Sequence, residues 1–599
     1  MKTLLISVFS VLVLISSATA FEPATVAIHP LLDEMFNDFH PPAVFTAVDG
    51  VYVARGYNRD NPILIEGPSG LIVIDPGESI IGAGLAKDAF NAQLDNIFDR
   101  KPVKAVIYTH SHDCHIHGAS VFAGPQTEII AHENLMATLY SSWFSQLYPS
   151  RIMGAVKMGG LLFYDDPGWY RGLTPHCRDS FPGESGFLPP TQTFRDTLKT
   201  TVAGVKLEMF FTPGETNDMI VVWLPVKKTL VQIGNFYNAI PAITTLRGGS
   251  LRDPMDYITS IDFYRGLNPE CMVFMHGPYP VLQGKEEISK TMTNYRDAIQ
   301  FIHDQTVHYM NKGLTPGEIK ELVKLPPDLA SDPFLQETYG EIDRNIYYTF
   351  WRYRGYFTGK CRDLITQSPI EEAQMAAMLA EGVDKLAAKA QEALDNGKWE
   401  WALELADDVL LLDPANSSAR STKNTALIAL AGETINSQSR NYLLSEYLLE
   451  SGQIPPVETA IFSGMYPKLI FASMDDNAVR FMPMDALHRI LAVNINAVKS
   501  LDTDMAVGLQ LTDIPKNSPT EPSYYALHVR HCILEVAPEA TPKAGSRTQN
   551  GEFRIITDSP VWKDLVLGKL TPQEAVSSAK VVIDGGDPEA FYAFMDLFD

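Results

Sequence analysis

Between about Phe45 and Gly284 the chain consists of short apolar runs, each closed by turn-forming residues, and this punctuation restricts its fold more than any other feature. Val51-Tyr52-Val53, Ile63-Leu64-Ile65, Leu71-Ile72-Val73-Ile74 before Asp75-Pro76-Gly77, and Ala105-Val106-Ile107-Tyr108 before His110 have the length and composition of strands. The texture recurs at Val202 to Phe211, Met219 to Leu224, Thr229 to Ile233 and Cys271 to Met275. Such runs predict a mixed α/β sandwich, with a functional site on the loops that follow the strand ends.

After about Glu286 the texture turns helical, most clearly at Ile370 to Asn396 and Trp399 to Leu412. Gly397 to Pro414 has the aromatic, small-residue and proline spacing of one tetratricopeptide-like hairpin, suited to packing or subunit contact or to a solvated face. From about Asp476 a third pattern begins. It predicts a helix around Met484 to Val498, strands near Met505 to Leu511, Ser523 to Val529 and Arg554 to Thr557, and a helix opened by Thr571-Pro572-Gln573-Glu574. This is an α+β domain, with Pro515 to Pro522 as a surface loop.

A chain of 599 residues exceeds what one hydrophobic core supports, so two or three domains are expected. Its first twenty residues stand apart: Lys2, an apolar run from Leu4 to Ile15, and Ala18-Thr19-Ala20 at the cleavage positions read as a signal peptide. The run is too short for the ~20 residues of a membrane-spanning helix. Secretion or export to a periplasm is therefore expected. Five scattered cysteines, Cys114, Cys177, Cys271, Cys361 and Cys532, give no disulfide framework, and their odd number leaves at least one without an internal partner. A net charge of -24 disfavours nucleic acid and anionic membrane surfaces as partners.

The segment Thr109-His110-Ser111-His112-Asp113-Cys114-His115-Ile116-His117-Gly118 follows a predicted strand. Four of the chain's 14 histidines fall in eight consecutive positions here, which favours metal binding over an exposed histidine-rich loop. Alternate histidines on such a loop can face one ion while their neighbours reach a second.

This segment resembles the His-x-His-x-Asp-His signature of metallo-β-lactamase-fold hydrolases in their alkyl sulfatase form. His110, His112 and His115 fall on the family histidines, while Cys114 stands where the family has its aspartate ligand. Thr212-Pro213-Gly214-Glu215 is similar to the stretch whose glutamate binds metal, and His276 in Val273-Phe274-Met275-His276-Gly277-Pro278 falls on the last ligand. Gly234-Asn235-Phe236-Tyr237 through Arg252-Asp253 resembles the sulfate-recognition region, with Gly234 where the family places an acid shared by both metals. Glu337-Thr338-Tyr339-Gly340 through Gly359, and the hairpin around Trp399, resemble its dimerisation region. The last domain is similar to its sterol-carrier-like module.

The resemblance implies an αββα sandwich at 40–290, an all-α dimerisation region at 291–470 and a sterol-carrier-like α+β domain at 475–599, after a signal peptide at 1–20. It implies one or two zinc ions: one held by His110, His112 and Glu215, a second by His115, His276 and the Cys114 thiolate. Arg247 and Arg252 would grip a sulfate ester substrate, and the chain would pair as a homodimer. Asp113 and His117 are possible substitute ligands, each expected instead as an exposed side chain. Hydrolysis of alkyl sulfates is the leading expectation. A non-catalytic binding protein, and another metal-dependent ester or lactone hydrolase, remain as alternatives.

Overall fold

The computed structural model describes residues 26–142, 148–155, 184–249, 251–453, 479–516, 521–539 and 553–598, with 157, 158, 162 and 518. The expected signal peptide, Cys177 and part of the 515–522 loop lie outside the described residues. The other four cysteines are unpaired.

Seven strands pair in chain order into one sheet: β1 (Ala43–Val48), β2 (Val51–Arg55), β3 (Ile63–Gly67), β4 (Gly70–Ile74), β5 (Val103–Ile107), β6 (Glu128–His132) and β7 (Gln192–Phe194). Pairing is antiparallel up to β4 and parallel from β4 to β7. The second sheet runs in reverse order from β13 (Val281–Gln283) through β12 (Cys271–Phe274), β11 (Thr229–Gln232), β10 (Ile220–Leu224) and β9 (Val205–Phe211) to β8 (Thr197–Val202). Only its β11–β12 pair is parallel.

Because side chains alternate across a strand, each sheet presents two apolar faces. Ile63, Ile65, Ile72, Ile74 and Ile107 meet Leu207, Met209, Val222, Val231 and Val273 in a core between the sheets. Leu64, Val73 and Val106 face the other way, onto Ala83, Ala86 and Phe90 of the helix Ile80–Gln93. On the far side Val221, Trp223, Leu230 and Met272 pack against Tyr257, Ile258 and Ile261 of the helix Pro254–Leu267. The result is the expected αββα sandwich. Ile288, Met292 and Tyr295 of the helix Lys285–Met310, and Ile346 and Phe350 of the helix Ile342–Arg354, continue this last core beyond residue 290.

The chain divides into two compact units. The sandwich, the helices up to Leu364 and the C-terminal residues form one; the described residues of Ile365–Pro455, with those before Met35, form the other. In the smaller unit Gly397 to Pro414 holds one helix, Trp399–Leu412, rather than a whole hairpin; its partner is the preceding helix Val383–Asp395, and Leu386, Ala390, Leu405, Ala406 and Val409 close the pair. A second pair, Ser417–Glu433 and Ser437–Glu450, follows it. Trp399 packs inside the unit, whereas Trp401 is exposed.

The C-terminal residues form a five-stranded sheet from β14 (Asp504–Leu511), β15 (Tyr524–Arg530), β16 (Ile533–Glu539), β17 (Phe553–Thr557) and β18 (Val582–Asp584), in the order β16-β15-β14-β17-β18. Its core holds Trp562, whose indole Nε1 donates to His488 Nε2 at 3.1 Å. That bond requires a neutral imidazole, and burial lowers the His488 pKa to about 4.

An unfolded chain takes up this proton near pH 6.5. The native contribution is therefore complete above that value and is lost as pH falls toward 4, by about 2 kcal/mol at pH 5. The expected outcome is a thermal midpoint that drops on acidification from about pH 7 to 5, with a smaller drop in His488→Gln. Equal drops in both chains would remove His488 as the cause.

Candidate metal centre

Six strand-end loops meet at one edge of the sandwich, and backbone hydrogen bonds tie several of them together. Asp75 N donates to Ile107 O (2.9 Å), joining the ends of β4 and β5, and Ile220 N donates to Thr109 O (2.9 Å), linking the two sheets. Asn61 N donates to Met275 O (2.8 Å), which fixes the β2–β3 loop against the loop after β12. The turn at 117–118 closes on Gly77 O, which accepts from both His117 N and Gly118 N at 3.0 Å. A Cβ at Gly118 would lie 2.3 Å from Pro76 O, so only glycine permits this approach.

Two neighbouring sets of donors result. In the first, His110 Nε2 and His112 Nδ1 lie 2.9 Å apart, and the Glu215 carboxylate stands 3.8 Å from each ring nitrogen. This brings together the three residues expected at the first metal. Asn235 Oδ1 accepts from Glu215 N (2.9 Å) and its Nδ2 donates to Thr212 O (2.9 Å), fixing the turn that carries the glutamate. Ser111 Oγ donates to Asp218 (3.2 Å), whose carboxyl is pushed up to about 7 by burial.

In the second set His115 Nε2 lies 3.4 Å from Asp60 Oδ2, and His276 Nδ1 contacts the other oxygen of the same carboxylate. His115 Nδ1 is held by Asp75 at 2.7 Å, and Asp75 also accepts from Thr109 N (2.8 Å). A carboxylate on one ring nitrogen, leaving the other facing inward, is the usual support of a metal-binding histidine. The rings of His110 and His115 are 4.2 Å apart between centroids, so the sets adjoin.

His115 and His276 thus come together as expected. Cys114 joins no three-donor group among the described residues; the third donor there is Asp60, which the sequence did not single out. Asp60 belongs to no motif quoted above and lies about 50 positions before the histidines, so its only sequence signal is its place on a loop between two strands. Asp113 and His117 are buried, at 8% and 1% exposure, contrary to expectation. Asp113 pairs with Arg59 (3.1 Å) and His117 Nδ1 with Ser185 Oγ (2.6 Å), and neither belongs to a donor group.

Charge follows from these contacts. Burial, reinforced by the positive charges of His115, His276, Arg252 and Arg247, depresses His110 well below the usual imidazole range, leaving a neutral donor. Burial also disfavours protonation of His115, but Asp60 and Asp75 outweigh it and hold the pKa up at about 9. Asp60 is opposed by burial yet kept ionised by His276 and His115. Burial and then Asp60 push the Cys114 thiol well above its ordinary value.

Gly234 and Glu215 fit one another. A Cβ at Gly234 would stand 1.6 Å from Glu215 Oε2, so the glutamate carboxylate occupies the space where a side chain at 234 would begin. Arg252 approaches the same carboxylate, with its Nη2 3.2 Å from Glu215 Oε1 and its Nη1 donating to Ala242 O at 2.6 Å. Arg247 lies on the same loop and its charge is felt at His110 and Asp113. The oxygens of Asp60, His115 Nε2 and Glu215 Oε2 are buried without well-formed hydrogen bonds. Donors in that state fit bound cations, which would supply the missing partners.

Comparison with known proteins agrees with this geometry. The chain matches three family models: "Metallo-beta-lactamase superfamily" over residues 58–276, "Alkyl sulfatase dimerisation" over 315–451 and "Alkyl sulfatase C-terminal" over 472–599. A linear primary-alkylsulfatase of Pseudomonas sp. (strain ATCC 19151) is 34% identical over 549 residues, covering 90% of this chain and 98% of that protein. An (R)-specific secondary-alkylsulfatase of Pseudomonas sp. is 26% identical over 581 residues, covering 93% and 81%. The stereoselective inverting sec-alkylsulfatase Pisa1 from Pseudomonas sp. shares the fold, with a TM-score of 0.82 at 23% identity over 96% of this chain and 88% of that one. The chain belongs to the alkyl sulfatase family, on the metallo-β-lactamase fold.

Proposed function

We propose that this protein hydrolyses sulfate esters of aliphatic alcohols at a zinc centre, as an exported homodimer. One observation carries the reading: a buried arginine fork, Arg252, touches the carboxylate of a two-histidine, one-carboxylate donor set. That set suits a catalytic zinc with an open position, and when bound the ion would supply Lewis acidity and an activated water. Arg252 is positioned by Ala242 O and by its own backbone N–H donating to Tyr348 Oη (2.6 Å). It stays charged at every physiological pH, and its planar donors match a tetrahedral oxyanion. Arg247 adds positive charge to the same approach.

A cavity of about 640 Å³ opens beside Arg252, with Leu246, Leu251, Tyr348 and Trp351 on its walls and Lys320, Glu341, Asp343 and Arg344 also lining it. A guanidinium next to an apolar wall suits an amphiphile with an anionic head. Among the described residues no helix is long and apolar enough to cross a membrane; export rests on the reading of residues 1–20. In the smaller unit Met378 and Leu379 are exposed on the helix Pro369–Leu379, and Trp401 and Leu411 on the helix Trp399–Leu412, an apolar surface suited to a second copy.

Metal analysis and kinetics test the centre. His110→Ala with Glu215→Ala is expected to lower zinc content and abolish turnover of medium-chain alkyl sulfates; unchanged zinc content would show the site misassigned. Arg252→Ala should keep its zinc while kcat/KM for the sulfate ester falls about 100-fold or more, the scale of losing one buried charged contact. Equal or faster turnover of phosphate or lactone esters would favour another hydrolase, and absence of turnover with full zinc loading would favour a binding protein. For assembly, light scattering should give a dimer mass for the native chain and a monomer for Met378→Asp with Leu379→Lys. A monomeric native mass at micromolar concentration would reject the dimer.

A further inference from the structure

We infer that Asp60, on the loop between β2 and β3, is the carboxylate ligand of the second metal, taking the part that the altered signature no longer supplies at Cys114. The inference rests on the metallohydrolase reading above and extends it to a residue outside the signature. Three observations carry it.

The first is distance. Two atoms bound to a tetrahedral zinc at 2.0–2.1 Å lie about 3.4 Å apart. His115 Nε2 and Asp60 Oδ2 are separated by 3.4 Å, and His276 Nδ1 contacts the other Asp60 oxygen. Asp60, His115 and His276 therefore form a compact three-donor set, of which Cys114 is not a member.

The second is burial against two imidazoles. Asp60 is 2% exposed, and its ion-pair contacts among the described residues are the two imidazoles alone. Its oxygens and His115 Nε2 lack well-formed hydrogen bonds. A carboxylate held out of water against two converging imidazoles presents its oxygens, together with their ring nitrogens, as one set of donors for a cation.

The third is rigidity. Asn61, the next residue, donates its backbone N–H to Met275 O (2.8 Å) and its side-chain amide to Gly277 O (3.2 Å), on either side of His276. On the other flank Arg59 pairs with Glu78 (3.2 Å) and Asn58 donates to Gly82 O (2.8 Å). Asp60 and His276 are thereby locked in register although 216 positions separate them in the chain. A loop clamped on both sides delivers its carboxylate with little ordering still to be done on metal binding.

Zinc content per chain and the spectrum of the cobalt-substituted protein decide the matter. The native protein is expected to hold two ions, Asp60→Asn to lose one of them, and Cys114→Ser to keep both. The cobalt form should show no intense near-ultraviolet thiolate-to-metal charge-transfer band. Such a band, present in the native protein and lost in Cys114→Ser, would make the thiol the ligand and overturn the inference, as would an Asp60→Asn chain with undiminished metal. The spectrum needs only native protein, so it decides even where Asp60→Asn does not fold. A native chain with one ion that survives Asp60→Asn refutes the role of Asp60 alone. A chain that binds no zinc refutes the metallohydrolase reading itself.

Discussion

Everything at the reactive edge of this protein depends on keeping several charged groups out of water at once. Asp60, Asp75, Glu215, His115 and Arg252 are all buried, and an isolated charge in such surroundings costs several kcal/mol. The arrangement persists because each group faces its complement: Asp75 against His115, Asp60 against His115 and His276, Arg252 against Glu215. The two-sheet apolar core makes this possible. It brings the ends of β2, β4, β5, β9, β11 and β12 to one edge, so that groups far apart in the chain neutralise one another.

Local chemistry in the sequence announces most of this. Strands with alternate faces in two cores are readable because each residue type records its own burial, as with Ile63, Leu64 and Ile65. The histidine loop is readable because its density has no ordinary structural cause. Asp60 is not readable, since a single aspartate on a loop is usually solvated and only tertiary contact with His276 reveals otherwise. The burial of Asp113 and His117 is hidden for the same reason: their partners, Arg59 and Ser185, lie 54 and 68 positions away. The second helical pair, Ser417–Glu433 and Ser437–Glu450, lacks the aromatic and proline marks of the first and appears only through packing.

Glycine at 234 makes room for the Glu215 carboxylate. At Gly234 no side chain competes for space, and the Glu215 carboxylate stands where a Cβ would be. Placement of the Glu215 carboxylate therefore depends on the absence of a side chain at 234. A larger residue at 234 would displace Glu215 from the histidines and from Arg252 together.

That shared carboxylate has a consequence for how the site responds to change. Glu215 lies 3.8 Å from His110 and His112 and 3.2 Å from Arg252, so metal donors and anion-gripping group are coupled through one side chain. Groups within one such network do not contribute independently, and coupling terms of about 0.5–3 kcal/mol are usual among them. Removing Arg252 would leave Glu215 more negative toward any cation beside it, while removing Glu215 would leave a buried guanidinium without its counter-charge. Zinc content and turnover therefore have to be read side by side in each single substitution. A double-mutant cycle on Arg252 and Glu215, read by zinc content and by sulfate binding separately, measures how strongly the two residues are coupled in each affinity.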